Sequence, residues 1–146
     1  MRFRELQVSY RAVAGTPPGP RPQIGTPRDG ANLLAPLLAH KVVEHAGVLS
    51  LDTKHSVIGW DVIGIGSLDA TVVHPREVFL TAILQHAAAI IVAHNHPSGD
   101  PVPSLDDKTL TARLSAAGGL LGIPLIDHVI IGHDGRYYSF REAGQL

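Results

Sequence analysis

The sequence predicts an α/β fold in which a mixed β-sheet is flanked by α-helices. Three observations carry this expectation. Short apolar runs, such as "AAIIVA" at 88–93 and "PLIDHVIIG" at 124–132, have the length and composition of buried strands. Two longer segments, at 74–87 and 105–122, carry helix start or stop signals. Strand and helix segments are interspersed, and some neighbouring strands are joined only by tight turns.

Each element has its own warrant. Residues 6–13, "LQVSYRAV", read as a short strand. Residues 15–29 hold five of the eleven prolines and read as an extended loop. A helix is expected over roughly 29–41, with Asp29 as its cap, "LLAPLLA" as its apolar face and Pro36 as an interruption. Residues 42–51, "VVEHAGVLSL", are apolar on both alternating faces apart from Glu44, His45 and Ser50, as in a strand covered on both sides. "DTKH" turns, and "SVIGWDVIGIGSL" (56–68) returns as the hairpin partner. "HPREVFLTAILQHA" is a helix with Pro75 in its first turn and Glu77 close behind. "AAIIVA" is a strand, and "LDDKTLTARLSAAGGLLG" is a helix that stops at glycine. "PLIDHVIIG" and "RYYSF" (136–140) close the chain as a hairpin around "HDG".

Length and composition bound the function. With 146 residues, 45% of them hydrophobic and 17% charged, one packed core is affordable in apolar material, so one domain over 1–146 is expected. Within it, 1–28 would be the N-terminal strand and proline-rich loop and 29–146 the core. The formal net charge is −1 and no basic stripe is visible, so charge gives nucleic-acid binding no support. The absence of cysteine excludes disulfides and thiolate zinc sites, and with them the Pro-Cys-x-x-Cys signature of a zinc nucleobase deaminase. "MRFRELQVSY" lacks the apolar stretch of a signal peptide and no run approaches a membrane span, so a cytoplasmic protein without a membrane partner is expected.

The stretch "HNHPSGDPVPSLDD" (94–107) carries chemistry. At a strand end, residues i and i+2 point the same way, so His94 and His96 would project to one side and Asn95 away from it. Two imidazoles there suit zinc, and a catalytic zinc takes three protein ligands with one position left for water. Ser98 and Gly99 shape the turn that brings the chain back. Ser104 starts a helix, and Asp107 in its first turn can face the strand end just left. "SLDD" also reads as a capping box, in which Ser104 caps and Asp107 reaches back, and that role competes for the same carboxylate. Asp106 is out of register and reads as a solvated charge at the helix start. Glu44, among Val42, Ala46 and Val48, is a carboxylate that needs a partner, and a base beside an activated water is such a role. Asp127 and His128 read as a structural pair that could also orient neighbours. "HPRE" at 74–77 reads as a helix start or a substrate-facing element.

Together, Glu44, His94, His96, Ser104 and Asp107 match the pattern Glu…His-x-His-x7-Ser-x2-Asp, which resembles the signature of the JAB/MPN, or JAMM, zinc metalloproteases. The phrases "HPREVF", "AAIIVAHNHPSGDPVPS", "LLGIPLIDHVIIG" and "YYSFRE" resemble the RadC branch, over roughly residues 40–142. The resemblance implies a JAB/MPN fold, similar to that of cytidine deaminases. It also implies Zn2+ on His94, His96 and Asp107, Glu44 as the base for the attacking water, and Ser104 as an oxyanion donor. The reaction implied is hydrolysis of a peptide or isopeptide bond in a protein or peptide substrate. The branch name implies an alternative, a non-catalytic accessory module in DNA repair or recombination. Relatives of that branch often carry an N-terminal helix-hairpin-helix region, whereas residues 1–28 here read as strand and loop. In "EHAGVLSLD" small residues stand where the branch tends to be bulkier.

Overall fold

The computed structural model describes residues 2–16, 18–66 and 73–146. Helix α1 (Pro27–Leu38) precedes strands β1 (Glu44–Leu51) and β2 (Val57–Gly66); α2 (Pro75–Leu84), β3 (Ala89–Asn95) and α3 (Leu105–Leu121) follow; β4 (Leu125–Ile131) and β5 (Tyr137–Ser139) end the chain. The five strands form one sheet in the order β2-β1-β3-β4-β5. Among the described residues only β3 and β4 pair in parallel, joined through α3; the other strand pairings are antiparallel. The expected mixed sheet with flanking helices is therefore present.

Alternation along the strands divides the core between the two sheet faces. Leu49, Leu51, Ile91, Val129 and Ile131 pack with Ile24, Ala31, Leu34 and Leu38, placing α1 on one face. Ala46, Val48, Ile90 and Val92 pack with Val78, Phe79 and Ala82 of α2 and with Leu110 and Leu114 of α3 on the other. β1 and β3 lie inside the sheet and are covered on both sides, which is why their sequences are apolar at nearly every position.

Local chemistry sets the boundaries. α1 begins two residues earlier than expected, because Thr26 is its cap. Asp29 is the third helical residue, whose carboxylate accepts from the Thr26 and Gly25 amides. Pro36 is accommodated inside α1, and the helix ends soon after it, at Leu38 rather than 41. β1 starts at Glu44, since Val42 and Val43 lie exposed before the sheet. α2 stops at Leu84, ahead of His86, whose φ of +53° lies outside helical space. His74 caps α2 by accepting the Arg76 amide on Nδ1, the structural alternative of the two offered for "HPRE". β3 runs two residues further than expected, through His94 and Asn95. The β4–β5 turn has positive φ at both Asp134 and Gly135 and closes on the Arg136 amide donating to the His133 carbonyl, as a two-residue Asp-Gly turn requires.

The strand expected over 6–13 does not form. Phe3, Leu6, Val8 and Tyr10 are all exposed, so no buried face fixes a register for that segment. Residues 67 and 68 of the expected hairpin partner lie outside the described residues.

Candidate metal centre

The site forms where β3 ends and α3 begins. On β3, Ile90, Val92 and His94 share the face covered by α2 and α3, and His94 is fully buried. Ala46 of β1 is paired opposite His94 and the two strands run antiparallel, so Glu44, two residues before Ala46, and His96, two residues after His94, leave the same end of the sheet on the same face. The turn then folds back. Gly99, at φ +88°, donates its amide to the His96 carbonyl, and Ser98 Oγ accepts from the Asp100 amide. The returning loop is pinned to the β4–β5 hairpin by the His133 amide donating to the Gly99 carbonyl.

α3 then delivers Asp107 to the histidines. Its Oδ2 accepts from the Ser104 amide at 2.8 Å and lies 3.2 Å from His96 Nε2, while Oδ1 lies 3.2 Å from His94 Nε2. The capping role and the metal-facing role therefore coexist rather than compete. A carboxylate has about four lone-pair directions, and the cap uses one of them while orienting the rest. Ser104 Oγ accepts from the Asp107 amide at 3.1 Å, which occupies a lone pair and leaves its hydroxyl hydrogen available. Ser104 is exposed, and so is Asp106, the solvated charge expected there.

Charge balance follows from this packing. Burial alone would raise the Asp107 carboxyl, but the imidazoles of His94 and His96 against its two oxygens, helped by the Ser104 amide, outweigh it and hold the group well below the usual carboxylate range. His96 is shifted upwards, chiefly by its hydrogen bond to Asp107; burial opposes, while the Asp100 carbonyl and the charges of Asp107 and Glu44 assist. Glu44 is thus close enough for its charge to act on His96. His128 is held well below its ordinary value by complete burial, and so is neutral.

His94, His96 and Asp107 fit a metal ion by their own geometry. The two Nε2 atoms are 3.1 Å apart and each is 3.2 Å from a carboxylate oxygen. Tetrahedral zinc with bonds of about 2.0–2.1 Å sets its ligand atoms about 3.3 Å from one another. The Asp100 carbonyl can only accept, so His96 Nδ1, 2.8 Å away, carries its hydrogen and Nε2 is the atom aimed at the centre. The group of three is the one among the described residues whose ligand atoms converge in this way.

Comparison with known proteins shows the family. Residues 24–145 match the family model of the RadC-like JAB domain. The chain belongs to the RadC-like JAB domain family. It is similar to a UPF0758 protein of Desulfitobacterium hafniense, 48% identical over 141 residues, which is 97% of this chain and 61% of that protein. A UPF0758 protein of Symbiobacterium thermophilum is 47% identical over 97% of this chain and 59% of the relative. One from Methanococcoides burtonii is 48% identical over 87% of this chain and 55% of its own length. The chain thus spans between 55% and 61% of the length of these relatives.

Three features of this RadC-like JAB domain lie beyond what the motif alone places. Asn95, which faces away from His94 and His96 as expected, clamps the approach to β1. Its Oδ1 accepts the His45 amide at 2.7 Å, and its Nδ2 donates to the carbonyls of Lys41 and Val43, so it fixes the backbone on both sides of Glu44. His128 and Thr111 stand directly behind His94. Asp127 is structural: its carboxylate accepts from Ser139 Oγ and from the amides of His128 and Arg141. The signal for His128 was its place in an apolar strand. That signal becomes specific only once the parallel β3–β4 register sets His128 beside Val92, on the His94 face.

Proposed function

We propose that the domain is a zinc-dependent hydrolase of the JAMM type that cleaves a peptide or isopeptide bond in a protein or peptide substrate. The observation that carries this reading is the placement of Glu44. His94, His96 and Asp107 would supply three protein ligands, as a catalytic zinc takes, and the strand register places the Glu44 carboxylate on the same face at the same end of the sheet. A purely structural metal site has no use for that carboxylate.

When bound, zinc acidifies water towards a pKa of about 7 and polarises a carbonyl oxygen. His94, His96 and Asp107 would hold the metal. Glu44 takes the proton of the attacking water and returns it to the leaving amine, so one carboxylate serves as base and then as acid. Ser104 donates its spare hydroxyl hydrogen to the oxyanion of the tetrahedral intermediate. Its exposure at the helix start gives a substrate carbonyl room to approach.

The test is metal content and cleavage on one set of purified proteins. About one zinc per chain is expected, lost in His94→Ala and Asp107→Ala. Glu44→Gln should keep the zinc and lose hydrolysis of whichever member of a peptide and isopeptide panel the wild type cleaves. A wild-type chain that takes up no zinc when it is supplied overturns the proposal and favours the accessory-module alternative. Undiminished cleavage by Glu44→Gln removes Glu44 from its role.

A further inference from the structure

Resting on the metal-site reading above, we infer that Thr111 and His128 are positioning residues: they form a directed hydrogen-bond relay that locks His94 in the one tautomer able to bind a metal. The relay has three links, all buried. Thr111 Oγ1 lies 2.7 Å from the Asp107 backbone carbonyl, His128 Nδ1 lies 2.6 Å from Thr111 Oγ1, and His94 Nδ1 lies 2.9 Å from His128 Nε2. Phe140 stacks on the far side of the His128 ring, with centroids 5.0 Å apart and planes 11° from parallel, which holds that ring in place.

The direction of the relay follows from its terminus. A carbonyl oxygen accepts and never donates, so the hydroxyl hydrogen of Thr111 goes to the Asp107 carbonyl. That hydroxyl has one hydrogen, and it must then accept from His128 Nδ1–H. A neutral imidazole protonated at Nδ1 offers a lone pair at Nε2, which accepts from His94 Nδ1–H. His94 is left with its Nε2 lone pair facing His96 Nε2 and Asp107 Oδ1. Run in reverse, the same three links would place a hydrogen on His94 Nε2, in the space a metal must fill. The carbonyl at the end of the chain breaks the symmetry between these two states.

The arrangement parallels that of His96 but is longer. His96 Nδ1–H is fixed by a backbone carbonyl directly, that of Asp100. His94 Nδ1 meets the His128 ring instead, and two side chains bridge from it to a carbonyl. The carbonyl they reach belongs to Asp107, so the backbone and the carboxylate of one residue act on opposite ends of the same imidazole. Partners of this kind behind a metal-binding histidine orient the ring and raise its basicity.

Thr111→Val keeps the side-chain shape and deletes the hydroxyl, and Thr111→Ser restores it. Two readouts are needed: competitive zinc titration, and long-range proton–nitrogen NMR of the histidine rings in the metal-free protein at mildly alkaline pH. The wild type is expected to show His94 with its hydrogen on Nδ1. Thr111→Val should mix the two His94 tautomers and weaken zinc binding about 10–100-fold, with Thr111→Ser close to wild type. His128→Gln, which retains an acceptor facing His94, should keep more zinc affinity than His128→Leu. A wild type that binds zinc but carries the His94 hydrogen on Nε2 overturns the relay and leaves the metal site standing. So does a Thr111→Val variant unchanged in both readouts. A wild type that binds no zinc overturns the metal reading itself, and the relay's function with it. Should Thr111→Val fail to fold, the wild-type spectrum alone still decides the direction of the relay.

Discussion

Gly132 is none of the candidate metal-binding residues, yet a methyl group there should weaken the site. It sits at the end of β4, where the returning loop crosses the hairpin. A Cβ on Gly132 would press into the Gly99 carbonyl oxygen and lie 3.0 Å from Pro101 Cδ. Ordinary carbon contacts are about 3.5–4.0 Å, so the 99–101 loop must move by about 1 Å. The obstacle is backbone, which has no rotamer through which to escape. Overpacking of this kind costs about 1–3 kcal/mol. With a urea m-value of about 2 kcal/mol/M, a cost of about 2 kcal/mol lowers the unfolding midpoint by about 1 M. The same movement carries the Asp100 carbonyl away from His96 Nδ1, now 2.8 Å distant, and a shift of about 1 Å takes that contact out of hydrogen-bond range. Losing such a partner behind a metal ligand lowers affinity about 10–100-fold. Gly132→Ala should therefore show both a lower urea midpoint and weaker zinc binding in a competitive titration. A midpoint within about 0.2 M of wild type, together with unchanged zinc affinity, would refute the claim that this crossing sets the position of His96.

Three further predictions test neighbouring parts of the argument. Ser104→Gly removes the oxyanion donor while costing the helix start only a few tenths of a kcal/mol, so cleavage should fall about 100-fold with thermal stability nearly unchanged; a variant that cleaves at the wild-type rate excludes Ser104 from the reaction. Asn95→Ala leaves the His45 amide and the Lys41 and Val43 carbonyls without this partner, which should cost about 1–3 kcal/mol in denaturant unfolding. With Glu44 loosened, cleavage should drop about 100-fold while zinc content stays at wild type, and a loss of zinc instead would place Asn95 among the metal's supports. Hydrogen bonds from the Thr26 backbone, then the Thr26 side chain and the Gly25 amide, hold Asp29 below its ordinary 3.8. A lowered carboxylate stabilises the folded state above 3.8 and loses that contribution as pH falls through its folded value. Wild type should thus exceed Asp29→Asn in stability at neutral pH, and the two unfolding curves should converge below pH 3.8; a gap that persists in acid would show that the charge of Asp29 contributes nothing.

How much of the site was legible differs from residue to residue. His94 and His96 declare themselves because alternation along a strand is a local rule, and Ser104 and Asp107 because a capping box is another. Helix α1 was misplaced at both ends, since Thr26, Pro27 and Asp29 offer two plausible starts and the choice depends on which residue the packed chain leaves extended. The segment 6–13 has the alternation of a strand but no partner in the sheet, and pairing is a property of two segments.

The sequence by itself determined the elements that local stereochemistry controls. These are the buried strands, the glycine stop of α3, the Asp-Gly turn, and the spacing of His94 and His96 at the "HNHPSG" corner. Only the tertiary structure decided what depends on register between segments far apart in the chain. Antiparallel pairing of β1 with β3 puts Glu44 on the His94 face, and parallel pairing of β3 with β4 puts His128 behind His94. Strand register is set by burial of whole faces against α1, α2 and α3, a sum over many side chains that no single stretch of sequence contains. The tautomer of a buried histidine is more remote still, because it is fixed by whichever donors and acceptors the packed core brings within about 3 Å of its ring.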